Sequence, residues 1–332
     1  MLSKSVFLTY LLCSACLILS SCSLGSTKTS PLGEWCRNGD LQAAQLSEFV
    51  ETLQTDFSLS NHPQQGSDHA SATTMHASAD HSAHAHTAVN ADGSRVEISL
   101  VIPKAMKALV LFTSNGDPLE RDPSSIPGAI LLLQNEVGLA VAHTRPAGAS
   151  RSGDASETNP VRDLVEAART LQALGYCSPK NLFLRAAGSG GWTATSAALA
   201  RPELFRGLIL ESPLLDIENA TTNKNLPLHP HYVEAWGTSA ARLNELSPMH
   251  ENTEFLPLDI MMIGSLTDDI PPALGNFEWL RRTACKHPEL RSVFAVTSVK
   301  PTAPERALSA TTSRGIVLQE VTFVLATIRR PL

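Results

Sequence analysis

From Ser94 onward, short apolar runs alternate with longer segments in which apolar residues recur every third or fourth position. That alternation restricts the chain to a sheet of buried strands joined by helices. Val96, Ile98, Leu100 and Ile102 share one face of an edge-type strand, and Ala108 to Phe112 form a buried one bounded by the turn signal Asn115-Gly116-Asp117-Pro118. A helix near Ala129 to Glu136 leads to the strand Leu139 to Ala142. Asn159-Pro160 opens a helix with Val161, Leu164, Val165, Ala168, Leu171 and Leu174 inward, and Gly175 ends it. Asn181 to Leu184, Leu208 to Leu210, Leu258 to Ile263 and Val293 to Val296 read as further strands, with helices to Ala200, over Leu274 to Ala284 and over Ile316 to Ile328. Continuous rather than alternating apolar strands imply cover on both faces, so the predicted class is α/β with a mostly parallel central sheet.

The 332 residues carry 26 Lys+Arg against 32 Asp+Glu, a net charge of −6. Such a surface offers no positive field for phosphates, and no nucleic-acid partner is expected. With 43% hydrophobic and 17% charged residues the chain is not of the disordered class, and its longest apolar run lies at the extreme N-terminus, which argues against a multispanning membrane protein.

That N-terminus places Lys4 before Val6-Phe7-Leu8-Thr9-Tyr10-Leu11-Leu12, followed by Leu17-Ile18-Leu19-Ser20-Ser21-Cys22. It resembles a bacterial lipoprotein signal, which implies cleavage after residue 21, lipidation of Cys22 and anchoring of an exported protein to a membrane. Ser23, in place of Asp, implies an outer-membrane anchor facing the periplasm. Residues 22–60 read as a tether and one amphipathic helix with Leu41, Leu46, Phe49, Val50 and Leu53 inward. Residues 61–92 are rich in Ala, Ser, Thr and His and read as a flexible linker, with the main domain at 93–332. His81, His84 and His86 are its candidate metal ligands, although a solvated spacer is the simpler reading. Cys36, Cys177 and Cys285 permit at most one intramolecular bridge in an oxidising compartment, and buried free thiols are the preferred reading.

The strand, glycine-dense turn and helix over residues 181–200 supply the context of a nucleophile elbow, in Ala187-Gly188-Ser189-Gly190-Gly191. Its flanks are more specific. Gly190-Gly191-Trp192 followed by Ala200-Arg201-Pro202-Glu203-Leu204-Phe205-Arg206-Gly207 resembles the segment after the nucleophile in the prolyl oligopeptidase family of serine peptidases. Leu226-Pro227-Leu228, Glu234-Ala235-Trp236-Gly237 and Leu246-Ser247-Pro248 resemble its oligopeptidase B branch, and Ala142-His143-Thr144-Arg145 and Gly175-Tyr176 match further landmarks. The resemblance implies an α/β-hydrolase fold over about residues 92–332, with no counterpart of the β-propeller that shields the site in the family.

The same resemblance locates the catalytic positions. The family's nucleophile stands thirteen residues before the Arg of the Arg-Pro pair, here Arg201, which puts Gly188 in that position and Ser189 one place late. Thr267-Asp268-Asp269 resembles the turn carrying the acid, making Asp268 its match. The family's histidine falls near Pro304, between Lys300 and Arg306, where no residue is a suitable base. The loop carrying the family's oxyanion tyrosine reads Thr113-Ser114-Asn115-Gly116. His143, His229, His231, His250 and His287 remain as displaced candidates for the base.

The sequence therefore predicts a lipid-anchored domain that has lost catalysis and serves in binding or scaffolding, with peptides as candidate ligands of the residual cleft near Gly188, Ser189 and Asp268. The alternatives are a serine-type peptidase acting through Ser189 and Asp268, and metal buffering by the histidine-rich segment. No cofactor is implied.

Overall fold

A computed structural model of the chain describes residues 81–114, 122–126, 128–146, 159–226, 229–251, 256–264, 273–287, 292–296 and 314–330. Among these, the strands are β1 (His81–Val89), β2 (Arg95–Pro103), β3 (Ala108–Thr113), β4 (Val137–Ala142), β5 (Leu182–Ala187), β6 (Gly207–Glu211), β7 (Asp259–Gly264) and β8 (Ser292–Val296). They form one sheet in the order β1-β2-β4-β3-β5-β6-β7-β8. β2 runs antiparallel to both neighbours, and the pairs from β4 to β8 are parallel. This is the α/β architecture expected. No propeller blade occurs among the described residues.

β3, β4, β5 and β7 are buried along their whole length, which is why they read as nearly continuous apolar runs. The helices divide between the two faces. Against one lie α1 (Ala129–Gln134) and, from the chain's end, α8 (Arg314–Ile328). There Leu132, Leu133, Val317, Val321 and Val324 cover Val110, Phe112, Phe183, Ile209 and Met261. Against the other lie α2 (Asn159–Ala173), α3 (Gly188–Ala200) and α7 (Ala273–Lys286), whose Leu164, Leu171, Ala194, Ala197 and Trp279 cover Leu109, Leu111, Leu184, Leu208 and Ile260.

Two sequence expectations are corrected here. The segment read as linker through Asp92 is, over His81–Val89, the outer strand β1, in register with β2 from His81↔Pro103 to Val89↔Arg95. β2 is accordingly an interior strand rather than an edge. An edge strand needs one pairing flank and little core volume. Of its residues only Ala88 is buried in the core, so no large apolar residue marked the strand in the sequence. The domain thus begins by residue 81 rather than 93.

The long excursion between β6 and β7, which carried no helix assignment in the sequence, holds α4 (Ile217–Thr222), α5 (His229–Trp236) and α6 (Ala240–Leu246). They pack on Trp192 of α3 through Ile217, Leu226, Tyr232, Trp236 and Leu243. The Trp192 and Trp236 rings meet edge to face at 4.6 Å, a favoured aromatic geometry, and the Trp192 indole donates to the Leu246 carbonyl at 2.7 Å. Ser247 is fully buried. Its hydroxyl accepts from the backbone N–H groups of Ile217 and Glu218 at 3.0 and 3.2 Å and donates to the Leu243 carbonyl at 2.7 Å. One side chain therefore satisfies the start of α4 and the end of α6, which is what the Leu246-Ser247-Pro248 block does.

Cys177 is a free thiol, as preferred from sequence, whereas Cys285 is disulfide-bonded, contrary to that reading. Cys36 lies outside the described residues. Burial pushes the Cys177 thiol up to about 12, so it stays protonated and unreactive near neutral pH. Iodoacetamide at pH 8 is expected to leave Cys177 unmodified in the native protein and to label it fully in denaturant, while Cys285 labels only after reduction. Peptide mass spectrometry of the alkylated protein checks both.

Candidate active site

β5 delivers the elbow. Its last residue, Ala187, is extended (φ −131°, ψ 158°), and Gly188 then turns to φ 51° before α3 begins. A positive φ costs an L-residue about 1–2 kcal/mol and glycine almost nothing. The sharp strand-to-helix turn that an α/β-hydrolase uses to project its nucleophile is therefore present, and Gly188 occupies its apex. The turn is braced from the segment after β6, where the backbone N–H of Leu214 donates to the Gly188 carbonyl at 2.8 Å. Gly191 is required by a close approach. A Cβ there would stand 2.4 Å from Pro213 Cβ and 2.7 Å from its Cα.

Ser189 is the first residue past the apex, half-buried and in contact with neighbouring groups. It stands one position past the residue whose positive φ makes the turn. Its backbone N–H stands where hydrolases of this architecture place an oxyanion donor.

Around the apex, the C-terminal ends of β3 and β4 are tied by a buried hydrogen bond between Thr113 Oγ1 and Thr144 Oγ1 at 2.8 Å, and Ser114 N–H donates to the Ala142 carbonyl at 3.1 Å. Asp163 of α2, 1% exposed, accepts from the Arg145 guanidinium at 2.9 and 2.5 Å and from Asn90 Nδ2 at 2.7 Å. Hydrogen bonding to Asp163 raises the Arg145 guanidinium above its ordinary range despite partial burial. The Ala142-His143-Thr144-Arg145 landmark is therefore a clamp between β4, α2 and the turn after β1.

The displaced histidines are distributed around the domain. His143 Nε2 meets Ser99 Oγ of β2 at 2.9 Å, and His250 stands 3.7 Å from Glu218. His229 and His231 lie on α5, with His231 exposed. His287 follows α7, which runs back against the strand direction. β8 begins beside Ile260 at the start of β7, so His287 lies at the end of the sheet opposite the elbow. Tyr176 and Tyr232 are also away from the β3 loop, Tyr176 beside β1 and Tyr232 buried among α4 to α6. Asp268 and Pro304 lie outside the described residues, Asp268 four positions past the last residue of β7. His84 and His86 share a face of β1 and His81 lies on the other, so the three proposed metal ligands do not converge. No group of three His, Cys, Asp or Glu poised for a metal occurs among the described residues.

A charged group that the sequence reading passed over lies directly beneath the elbow. Arg185, two residues before Ala187 and 4% exposed, donates through Nε to both oxygens of Glu320 on α8 at 3.0 and 3.1 Å. Its Nη2 donates to Glu211 at the end of β6 at 2.9 Å, and its guanidinium lies 5.4 Å from the centre of the Phe112 ring. Burial works against the charged guanidinium, yet Glu320 and Glu211 together raise it above its ordinary range. Burial likewise raises the Glu320 carboxyl, against the pull of Arg185. The signal was an arginine inside an otherwise apolar strand, since such a charge is rarely buried without a partner.

Residues 151–292 match the sequence model of the prolyl oligopeptidase family. Over that segment the α/β body is similar to the prolyl oligopeptidase family. A "Prolyl endopeptidase-like" protein of Xenopus laevis is 38% identical over 79 residues, which span 24% of this chain and 11% of that protein. An uncharacterized peptidase, y4sO, of Sinorhizobium fredii (strain NBRC 101917 / NGR234) is 31% identical over 111 residues, 32% of this chain and 16% of that protein. The chain thus aligns with only a small part of these curated relatives. Among solved structures, oligopeptidase B from Leishmania major superposes with a TM-score of 0.59 at 18% identity, over 76% of this chain and 37% of that one. A post-proline cleaving enzyme from Rickettsia typhi superposes with a TM-score of 0.61 at 17% identity, over 75% and 38%. At such identities the superpositions establish the fold alone.

Arg185→Met is expected to destabilise the domain by about 3–5 kcal/mol, because it leaves Glu320 buried without its counter-charge. The double variant Arg185→Met/Glu320→Leu recovers much of that loss. Urea unfolding of the three proteins measures it.

Proposed function

We propose that this protein is an exported lipoprotein whose prolyl-oligopeptidase-like domain binds peptides or a protein partner without hydrolysing them. The observation that carries the reading is Gly188 at the apex of the elbow, with φ 51° and no side chain to attack a carbonyl. Loss of a nucleophile or base alone costs a serine hydrolase on the order of a million-fold in turnover. The His143 and His250 contacts and the position of His287 further support the reading, since each is held away from the elbow or engaged elsewhere.

Peptide binding is the ligand class in keeping with the relatives, and the oligopeptidase B branch rests on the blocks around Trp236 and Ser247, whose packing on Trp192 accounts for them. The retained backbone donor at Ser189 would meet a carbonyl or carboxylate oxygen of a bound chain. Export through the lipoprotein signal agrees with the disulfide at Cys285, a bond that persists in oxidising compartments. No described helix is long and apolar enough to cross a membrane, so lipidated Cys22 would be the attachment.

The competing reading is a hydrolase acting through Ser189 and Asp268. The mature protein exposed to a fluorophosphonate probe is expected to show no mass adduct beside a fully labelled active peptidase. A single adduct on Ser189, abolished by Ser189→Ala, overturns the proposal in favour of the hydrolase. Titration calorimetry with a library of basic oligopeptides is expected to show saturable heat without cleavage.

Anchoring has its own test. The wild-type protein produced with its leader in a diderm bacterium is expected to partition into the detergent phase, and Cys22→Ala to remain unprocessed or lack the acyl mass on intact-protein mass spectrometry.

A further inference from the structure

The inward-facing histidines of β1 take no part in the cleft. β1 is the outermost strand, separated from β5 and its elbow by β2, β4 and β3, so its histidines stand to the side of the cleft. His84 and His86, two residues apart on one strand face, have ring centres 6.3 Å apart and planes within 9° of parallel. The Tyr176 ring lies against both, 5.7 Å from His84 and 5.2 Å from His86. Its hydroxyl is 2.9 Å from His86 Nε2, and His84 Nε2 is 2.9 Å from Ser82 Oγ. Tyr176 is fixed by the close of α2, where its N–H donates to the Leu171 carbonyl and the Gly175 N–H to Gln172, both at 3.0 Å.

We propose that His84 and His86 form a two-imidazole binding site for a divalent transition-metal cation of the Cu2+ or Zn2+ class, with Tyr176 orienting His86. Imidazole donors suit these ions, and carboxylate-seeking Mg2+ and Ca2+ find no cage here. A metal–nitrogen bond of about 2.0–2.1 Å places each ring centre about 3 Å from the ion, so two rings sharing one ion stand up to about 6 Å apart. The separation in the structure needs only side-chain rotation to meet that span. Both rings are half-buried at the outer edge of the sheet, within reach of solvent. Water fills the remaining positions, making an open site rather than a structural cage. His81, on the opposite face, is excluded.

The test uses the full mature chain after chelator treatment, titrated by calorimetry with Cu2+ and separately with Zn2+. The expected result is one site tighter than the rest, weakened about tenfold or more by His84→Ala and by His86→Ala, weakened less by Tyr176→Phe, and unchanged by His81→Ala. The Cu2+ electron paramagnetic resonance spectrum of the wild type shows two-nitrogen coordination that each histidine variant loses. Unchanged metal-free melting temperatures separate loss of ligands from loss of fold, and His84→Gln and His86→Gln replace any variant that melts early. Persistence of the tight site in the His84→Ala/His86→Ala double variant overturns the proposal and assigns binding to the upstream His62, His69 and His76. So does equal loss on changing His81, or the absence of any saturable site.

Discussion

The guanidinium of Arg185 joins three elements behind the elbow. It is carried on β5, balanced by Glu211 at the end of β6 and by Glu320 on α8, and covered by Phe112 of β3. Two carboxylates around one buried cation make the position of the last helix a condition of the charge balance of the central strands. The pair adds little net stability over well-packed apolar residues, but misplacing α8 would leave charges buried without partners, and that cost selects one register. β5 must end where it does, and Gly188 follows from it.

The elbow is shaped by its backbone. The strained backbone, the bracing hydrogen bond from Leu214 and the close approach of Gly191 to Pro213 are architectural and present. The apex residue is Gly188, and Ser189 follows it in α3. The apex residue contributes backbone geometry rather than packing, so the shape of the elbow does not depend on a side chain there. Binding at the C-terminal edge of the sheet is compatible with that shape.

Much of the architecture was legible from residues. The buried strands announced themselves as continuous apolar runs, and the segment around Trp192, Trp236 and Ser247 carried a resemblance whose physical content is a small aromatic cluster and a shared cap. β1 was missed because its inward positions hold serine, histidines and alanine, and α4 to α6 because each is too short to show a helical period. Arg185 was missed because a charge within an apolar run says only that a partner must exist. Its partners are 26 and 135 residues away along the chain.

The sequence by itself determined the class of fold and the glycine in the turn after β5, because these depend on residue identity and local spacing. Only the tertiary structure decided that the histidine-rich stretch closes the sheet, that His84 and His86 meet while His81 turns away, and that the elbow keeps its strained backbone around Gly188. Those facts depend on which strand lies beside which, and pairing between distant segments is fixed by the whole sheet rather than by any one of them.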